Sequence, residues 1–317
     1  WSSDVCSSDL GTRIATKVLD GVRISNRLRD KISYTVSAIY RESGKRPGIA
    51  VVHMGDTLEM ERYVYAKKLL AHSLGIEFHE VHLPKSTDTK TLQSAIQELN
   101  RRRDINGVIV QLPLPQHLDS SVILNTIDPD KDVDGCNAFN QGQLYNSDFK
   151  TLINVPCAAL AMTHFLQVYK IPTHRKRAVI IGNSALVGYP CFCMLQRMGC
   201  TCSMCHKDTV NVPSYTREAD LVVTAVGNPR MIKGAWLKPG ATVIDIGTRC
   251  VQNRNGIYEL VGDADFESCL GVAGSLTPVP GGVALLTTAM LMKNTVQAMI
   301  RQEPGIRNYE MILEKSL

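Results

Sequence analysis

At 317 residues the chain is long enough for about two domains of ordinary size. Its hydrophobic content of 44% and charged content of 21% are typical of a soluble globular protein. A net charge of +5, without a dense basic stripe, and an aromatic content of 6% do not favour nucleic acid as a partner. No apolar run approaches the ~20 residues of a membrane span, so we expect no membrane partner.

The first ten residues, WSSDVCSSDL, resemble the translation of a common sequencing-adapter oligonucleotide, and residues 1–10 are excluded from the fold prediction as an artefact. Removing Cys6 from the ten cysteines leaves nine at scattered positions, which predicts free thiols in a reducing compartment. Cys200, Cys202, Cys205 and His206 are residue types that bind zinc. Strand alternation separates Cys200 and Cys202 from Cys205, however, so we predict no metal site.

From residue 47 onward, short apolar strands alternate with helical patterns. Strands are predicted at "PGIAVVHMG", "IEFHEVHLP" and "NGVIVQLPLP", and helices over Leu58–Leu74 and Thr89–Arg102 lie between them. A polar, turn-rich passage, "DPDKDVDGCNAFNQGQL", then interrupts the alternation. The next helix is predicted in "VPCAALAMTHFLQVYK", with Pro156 near its start.

The alternation of strands and helices restarts near Arg177. "KRAVIIGNSALVG" predicts a strand, a glycine turn and a helix, and further strands follow at "CTCSMCHKD", "ADLVVTAVGNP" and "GATVIDIGT". The segment "TPVPGGVALLTTAMLMKNTVQAMI" predicts a turn and a long apolar helix, which we expect to pack on the first domain. The whole pattern predicts an α/β protein of two domains, each a parallel sheet covered by helices.

The glycine turn from Gly182 to Gly188 has the residue types of a phosphate-binding loop, because glycines let backbone N–H groups approach an anion at a helix N-terminus. Its spacing matches neither the three-glycine dinucleotide fingerprint nor the P-loop, so a tight turn without a ligand stays open. The next strand ends in His206, Lys207 and Asp208. A basic residue there slightly favours NADP over NAD.

The helix over Leu58–Leu74 has two different faces. Tyr63, Lys67, Leu70 and Leu74 form one line, which predicts a core or cleft wall, whereas Tyr65, Lys68 and His72 form a polar line facing water. A lysine at an apolar wall has a lowered pKa, so Lys67 is a candidate catalytic residue. The alternative is a lysine whose head reaches solvent.

Two further polar residues stand at positions suited to a ligand. Gln111 closes an apolar strand, and ligands of open α/β sheets bind outside the carboxyl ends of the strands. Asp134 lies in "DVDG", where a turn residue is the alternative interpretation.

In order along the chain, "YVYAK", "GVIVQLPLP", "DPDKDVDG", "IGNSALVGYP", "AVGNP", "VIDIG", "GDADF" and "TPVPGGV" resemble the bifunctional methylenetetrahydrofolate dehydrogenase/cyclohydrolase family. The resemblance implies two α/β domains with a cleft between them, and a homodimer. It assigns residues 11–156 plus 284–302 to a folate-binding catalytic domain and 157–283 to a Rossmann-like NAD(P)-binding domain. Residues 303–317 are left as a C-terminal tail.

The same resemblance implies NADP-dependent oxidation of 5,10-methylenetetrahydrofolate and hydrolysis of the methenyl product, with a tetrahydrofolate derivative as substrate and NAD as the alternative cofactor. The implied catalytic residues are Tyr63, Lys67, Gln111 and Asp134. The implied substrate-binding residues are Tyr63, Asp134, Pro278, Pro280, Gly281 and Gly282. The implied cofactor-binding residues are Gly182, Asn183, Ser184, Val187, His206, Lys207, Gly247, Thr248 and Thr287. Location in the cytoplasm is expected, with the mitochondrion as the alternative.

Several positions depart from the family pattern. Asn183 stands where the family usually has an arginine, and Met60 stands where a serine is expected. Further departures occur at Ala158-Ala159, Cys136-Asn137 and Ala284-Leu285-Leu286. Two alternatives therefore stay open: an enzyme with only one of the two activities, and a non-catalytic folate-binding relative.

Overall fold

The computed structural model of the chain describes residues 14–55, 58–146, 152–252, 256 and 258–309, and the adapter-like start lies outside them. The described residues form two lobes, each built on a parallel sheet. This arrangement confirms the predicted α/β class.

The first lobe is built on a three-stranded parallel sheet in the order β3-β2-β4. The central strand is buried along its whole length, which explains its unbroken apolar sequence. The strands of this lobe are β2 (Gly48–Met54), β3 (Glu77–Leu83) and β4 (Gly107–Val110). Its helices are α1 (Gly21–Ser43), α2 (Leu58–Ser73), α3 (Thr89–Arg101), α4 (Ser120–Leu124) and α5 (Ala138–Asn146).

The second lobe contains a six-stranded parallel sheet in the order β1-β11-β8-β7-β5-β6 and a separate antiparallel pair, β9 and β10. Its strands are β1 (Lys17–Val18), β5 (Arg177–Ile181), β6 (Thr201–Cys205), β7 (Leu221–Thr224), β8 (Thr242–Asp245), β9 (Arg249–Gln252), β10 (Tyr258–Val261) and β11 (Ser275–Leu276). Its helices are α7 (Gly188–Arg197), α8 (Val212–Thr216) and α9 (Phe266–Cys269), with a 3-10 helix at Gly234–Trp236. The strand β1 comes from the segment expected in the first domain, yet it pairs with β11 at the edge of this sheet.

Two helices join the lobes through one apolar core. The helix α6 (Cys157–Val168) directly follows Pro156. The helix α10 (Val283–Gln302) packs against both α1 and α6, so it packs on the first domain as expected. A 3-10 segment, Pro304–Tyr309, follows α10. By length and composition α10 could cross a membrane, contrary to the sequence expectation, but 72% of its most apolar window is buried inside the protein. Its burial identifies it as a core helix.

The expectation for the polar passage after Ile127 was wrong in one respect, because the passage contains the helix α5. Asn137 begins this helix by accepting a hydrogen bond at its Oδ1 from the N–H of Phe139 (2.8 Å). Only Asn140 and Leu144 of α5 are buried, so its sequence lacks the apolar periodicity by which helices are recognised.

Candidate active site

The two faces of α2 separate the two lysines as predicted. Leu70 and Leu74 are buried, and Tyr63, on the same line, leaves 49% of its surface exposed beside the first-lobe cleft. Lys68 instead forms an ion pair with Glu80 (3.1 Å) on the outer side. The tertiary structure therefore gives Lys68 a surface partner and leaves Lys67 at the cleft wall.

Lys67 is held by the residue that follows β4. Its Nζ donates to Oε1 of Gln111 (2.7 Å), and Nε2 of Gln111 donates to the carbonyl of Leu112 (3.0 Å), which fixes the orientation of the amide. Burial lowers the pKa of Lys67, and the negative charge of Asp134 opposes that shift. At a given pH, a larger fraction of Lys67 is therefore in the neutral amine form than of an exposed lysine.

The loop that carries Asp134 is organised by a second carboxylate. Asp132 is buried and accepts hydrogen bonds from the N–H groups of Cys136 (3.1 Å) and Asn137 (2.8 Å) and from Nδ2 of Asn140 (2.8 Å). Gly135 adopts φ +68°, and a Cβ there would lie 2.6 Å from the nitrogen of Pro156. The turn thus requires glycine on two grounds.

Asp134 lies in a strongly perturbed environment. Burial, with the nearby Asp132 carboxylate, raises the pKa of Asp134 to about 6, against the effects of the Cys157 thiol and Lys67. Burial also raises the pKa of the Cys157 thiol, so it acts as a hydrogen-bond donor. Lys67, Gln111 and Asp134 therefore belong to one electrostatic site, and Asp132 and Cys157 support it.

A cavity of 840 Å³ opens in the first lobe; Leu112, directly after Gln111, lines it, whereas Lys67, Gln111 and Asp134 do not. Tyr63 forms part of its wall, and the segment from Leu112 to His117 forms another part, so the "LPLP" sequence serves as an apolar surface. Met60 lines the same cavity where the family pattern has a serine. The cavity is wide enough for a flat, ring-containing ligand.

The Pro/Gly turn before α10 is packed against the start of α1. The N–H of Gly21 donates to the carbonyl of Gly281 (2.9 Å), and a Cβ on Gly282 would lie 2.3 Å from the carbonyl oxygen of Pro278. Pro278 lines a second cavity, of 570 Å³, and Pro280 follows it in the same turn. Thr287 lies one turn into α10, where its hydroxyl donates to the carbonyl of Val283.

In the second lobe, the glycine turn connects β5 to α7 as predicted. A Cβ on Gly188 would lie 2.0 Å from the carbonyl oxygen of Gly182, so the two backbones need glycine to approach. Ser184 accepts hydrogen bonds at its Oγ from the N–H groups of Val187 (3.2 Å) and Gly188 (3.3 Å). Asn183 and Ser184 are exposed.

The end of β6 lies next to that turn, because the N–H of Gly182 donates to the carbonyl of Cys205 (2.9 Å). His206 and Lys207 follow and are exposed, and Nδ1 of His206 lies 3.7 Å from a carboxylate oxygen of Asp208. The structure therefore brings the predicted cofactor residues of two strands to one edge of the sheet. Among the described residues no group of histidines, cysteines and carboxylates could hold a metal ion.

Two buried carboxylates that sequence reasoning missed shape the neighbouring strand ends. Asp245 accepts from the N–H of Ala264 (2.8 Å), and burial raises the pKa of Asp245 to about 7. Asp263 accepts from the N–H of Val226 (2.7 Å), and its carboxylate would lie 2.2 Å from a Cβ on Gly247. Gly247, followed by Thr248, is held between these groups. Both aspartates lie in the motifs "VIDIG" and "GDADF", which are the only sequence signal for them.

Comparisons with known proteins match both lobes. The family described as "Tetrahydrofolate dehydrogenase/cyclohydrolase, catalytic domain" matches residues 19–134, and "Tetrahydrofolate dehydrogenase/cyclohydrolase, NAD(P)-binding domain" matches residues 156–303. The bifunctional protein FolD of Phenylobacterium zucineum is 42% identical over 90% of this chain and 97% of its own length. The chloroplastic bifunctional protein FolD 4 of Arabidopsis thaliana is 39% identical over 92% of this chain and 81% of its own.

Solved structures agree with the sequence matches. The FolD methylenetetrahydrofolate dehydrogenase/cyclohydrolase of Campylobacter jejuni superposes with a TM-score of 0.86 at 34% identity, covering 91% of this chain and all of its own. The Trypanosoma brucei enzyme, crystallised with NADP cofactor and an inhibitor, also gives 0.86, at 32% identity, covering 90% of this chain and 98% of its own.

The fold and these matches define a two-lobed α/β enzyme whose second lobe is an NAD(P)-binding domain. Within that class, the chain belongs to the tetrahydrofolate dehydrogenase/cyclohydrolase family and is a bifunctional methylenetetrahydrofolate dehydrogenase/cyclohydrolase. The family expectation drawn from the sequence motifs is confirmed.

Proposed function

We propose that the folate substrate binds in the first-lobe cleft, with its ring system against Tyr63 and its amino-pyrimidine edge on Asp134. Tyr63 presents an exposed aromatic face at the 840 Å³ cavity, and a carboxylate accepts strong hydrogen bonds from paired N–H donors. The turn containing Pro278, Pro280, Gly281 and Gly282 completes the substrate site in this proposal.

The Lys67–Gln111 hydrogen bond of 2.7 Å is the observation that carries the proposed chemistry. When bound, the nicotinamide cofactor supplies the hydride acceptor for oxidation of the methylene bridge. In the hydrolytic step, a water oxygen forms a bond to the methenyl carbon and gives up one proton. One carbon–nitrogen bond then breaks, the nitrogen keeps the electron pair and takes up the second proton of that water, and the oxygen remains as the carbonyl of the 10-formyl product. A neutral Lys67, positioned by Gln111, accepts the first of these protons or orients the water.

The pH dependence of hydrolysis follows from the charge on Lys67. Because burial lowers its pKa, the neutral amine becomes populated at a lower pH than for a free lysine. Hydrolysis is therefore expected to rise with pH through the lowered pKa of Lys67 and to level off above it. Deprotonation of Asp134, whose pKa is about 6, sets the lower limit of tight folate binding.

We further propose NADP as the cofactor that the second lobe prefers. The residues present fit such a ligand, since Gly182 and Gly188 let the backbone of the turn approach closely, and the exposed Asn183 and Ser184 stand beside the start of α7. Lys207, at the end of the next strand, is the cation available to a 2′-phosphate. It offers a point charge without the paired donors of an arginine, so the preference over NAD is expected to be modest.

A homodimer located in the cytoplasm completes the proposal, with the mitochondrion as the alternative location. Two exposed apolar side chains of β10, Tyr258 and Leu260, support a subunit contact through the two-stranded sheet. Light scattering of the purified protein measures the oligomeric state, and a monomeric mass would contradict the proposal.

The test of the proposed chemistry compares Lys67→Met with Lys68→Met. Lys67→Met is expected to abolish methenyltetrahydrofolate hydrolysis, because the general base or water-positioning group is gone, while part of the dehydrogenase activity survives. Lys68→Met removes only the exposed ion pair with Glu80 and should leave both activities near the wild-type level. Hydride transfer and hydrolysis are followed separately by absorbance, and equal losses in the two variants would refute the assignment of Lys67.

A further inference from the structure

One amide side chain connects the loop of Asp134 to the glycine turn of the second lobe. Gln141, in the second turn of α5, donates from Nε2 to the carbonyl of Cys136 (3.3 Å) and to the carbonyl of Ala185 (3.2 Å). Cys136 lies two residues after Asp134, and Ala185 directly follows Ser184. The two hydrogens of a primary amide are thus used by two segments from different lobes.

The rest of α5 strengthens this connection on the side of the second lobe. Nε of Arg197, in the last turn of α7, donates to the carbonyl of Leu144 (2.6 Å). The first turn of α5 is anchored in the first lobe through Asn140, whose amide donates to Asp132 (2.8 Å). The helix is therefore attached at one end to the carboxylate that organises the Asp134 loop and at the other end to α7.

The packing around Gln141 is incomplete. A cavity of 220 Å³ opens between α5 and α7 here, and Gln141, Tyr145, Ala185 and Tyr189 are among the residues that line it, while Leu144 of α5 and Cys193 of α7 belong to one buried apolar cluster. An apolar contact surface with a gap of this size resists relative movement of the two segments less than a filled one does. Cys136 of the Asp134 loop and Leu186 of the glycine turn also pack on one apolar cluster of the first lobe. The hydrogen bonds of Gln141 add a direct polar link between the two loops.

We propose that Gln141 is a positioning residue that couples the folate loop to the cofactor turn, so that binding at one site changes the affinity of the other. The inference rests on the folate and cofactor positions proposed above. When the cofactor orders the turn at Ala185, the shared amide transmits that ordering to Cys136 and hence to Asp134. Coupling of this kind is reciprocal between two binding sites.

The hydrolytic reaction supplies a direct test, because its balanced equation includes no hydride acceptor. The KM for methenyltetrahydrofolate is measured in the absence of NADP and at a saturating concentration of it. In the wild type the two values are expected to differ by about fivefold or more, the lower limit of ordinary coupling. In Gln141→Leu, which keeps the bulk and removes both donors, they are expected to agree within about twofold.

Two further variants separate coupling from general damage. Gln141→Glu keeps the shape of the side chain without an N–H donor and should lose the NADP effect to the same extent. Gln93→Leu removes a hydrogen bond from Nε2 of Gln93 to the hydroxyl of Thr126 (3.2 Å), on the part of the first lobe that contacts α4. This variant should keep the wild-type ratio of KM values with and without NADP. Thermal unfolding of each variant verifies that it is folded.

The outcomes distinguish this inference from the proposed function itself. A wild type without an NADP effect on KM, or Gln141 variants that retain the wild-type ratio, would overturn the coupling role. A loss of coupling in Gln93→Leu as well would show a non-specific effect and would also overturn it. Failure of the wild type to hydrolyse methenyltetrahydrofolate would instead refute the proposed chemistry at Lys67.

Discussion

Replacing Asp134 with asparagine is expected to stabilise the unliganded protein while it weakens folate binding. The pKa of Asp134 is raised from 3.8 to about 6, chiefly by burial. A difference of about two pKa units corresponds to roughly 3 kcal/mol at about 1.4 kcal/mol per unit. The ionised carboxylate therefore lowers the free energy of unfolding by up to about 3 kcal/mol at neutral pH.

The pH dependence has a definite sign. Because the folded state binds the proton more tightly than the unfolded state, the contribution of Asp134 to stability falls as pH rises from about 4 to about 6. Urea unfolding at pH 7.5 should thus show Asp134→Asn to be more stable than the wild type. The gain should shrink toward zero below about pH 3, under the unfolded pKa of 3.8, where Asp134 is protonated in both states.

Substrate binding is expected to change in the opposite direction. An amide cannot accept the same pair of charge-assisted hydrogen bonds from the pterin, so folate binding should weaken by about 2–3 kcal/mol. The KM for methylenetetrahydrofolate, measured at saturating cofactor, reports this loss. An unchanged KM would return Asp134 to the role of an ordinary turn residue.

Asp104→Asn is the matched control for the stability argument. The side chain of Arg102 lowers the pKa of Asp104 to about 2, so its ionised form stabilises the folded state, and the variant should be less stable at pH 7.5. The pair is largely exposed, so the loss should not exceed about 1 kcal/mol. If Asp134→Asn were destabilised at pH 7.5 as Asp104→Asn is, the burial argument for Asp134 would be refuted.

Two further predictions concern the cofactor site. Lys207→Ala should erase the preference for NADP, and Asn183→Arg should enlarge it by adding a second cation near the 2′-phosphate. The preference is measured as the ratio of kcat/KM for NADP to that for NAD. A wild type that prefers NAD would contradict this prediction. Gly188→Ala places a Cβ 2.0 Å from the carbonyl oxygen of Gly182. Overpacking costs about 1–3 kcal/mol, so the cofactor KM should rise roughly fivefold to 150-fold, whereas hydrolysis should persist. An unchanged cofactor KM would remove the turn from the cofactor site.

The predicted part of the site comes from short-range patterns. The spacing of three and four residues on α2 places Lys67 with Leu70 and Leu74, and this periodicity is sufficient to distinguish it from Lys68. The apolar run before Gln111 likewise places that residue at the end of a strand, and the glycines at 182 and 188 indicate the tight turn. The family motifs then identify which of these residues act together.

The local pattern did not indicate the helix α5, because a helix with only two buried residues has no apolar stripe, and its start depends on Asn137. The domain bounds stay a prediction, since a short strand of two residues, β1, carries too little sequence to show which sheet it joins. Such elements are determined by partners distant in the chain.

By itself, the sequence determined the α/β class, the order of most strands and helices along the chain, and the residue types at the site, because helix and strand periodicities are local properties of the backbone. Only the tertiary structure decided which groups meet. The Lys67–Gln111 bond joins residues 44 positions apart, and the amide of Gln141 reaches Ala185 across another 44. Burial, which raises the pKa of Asp134 and lowers that of Lys67, likewise exists only after the chain has folded around them.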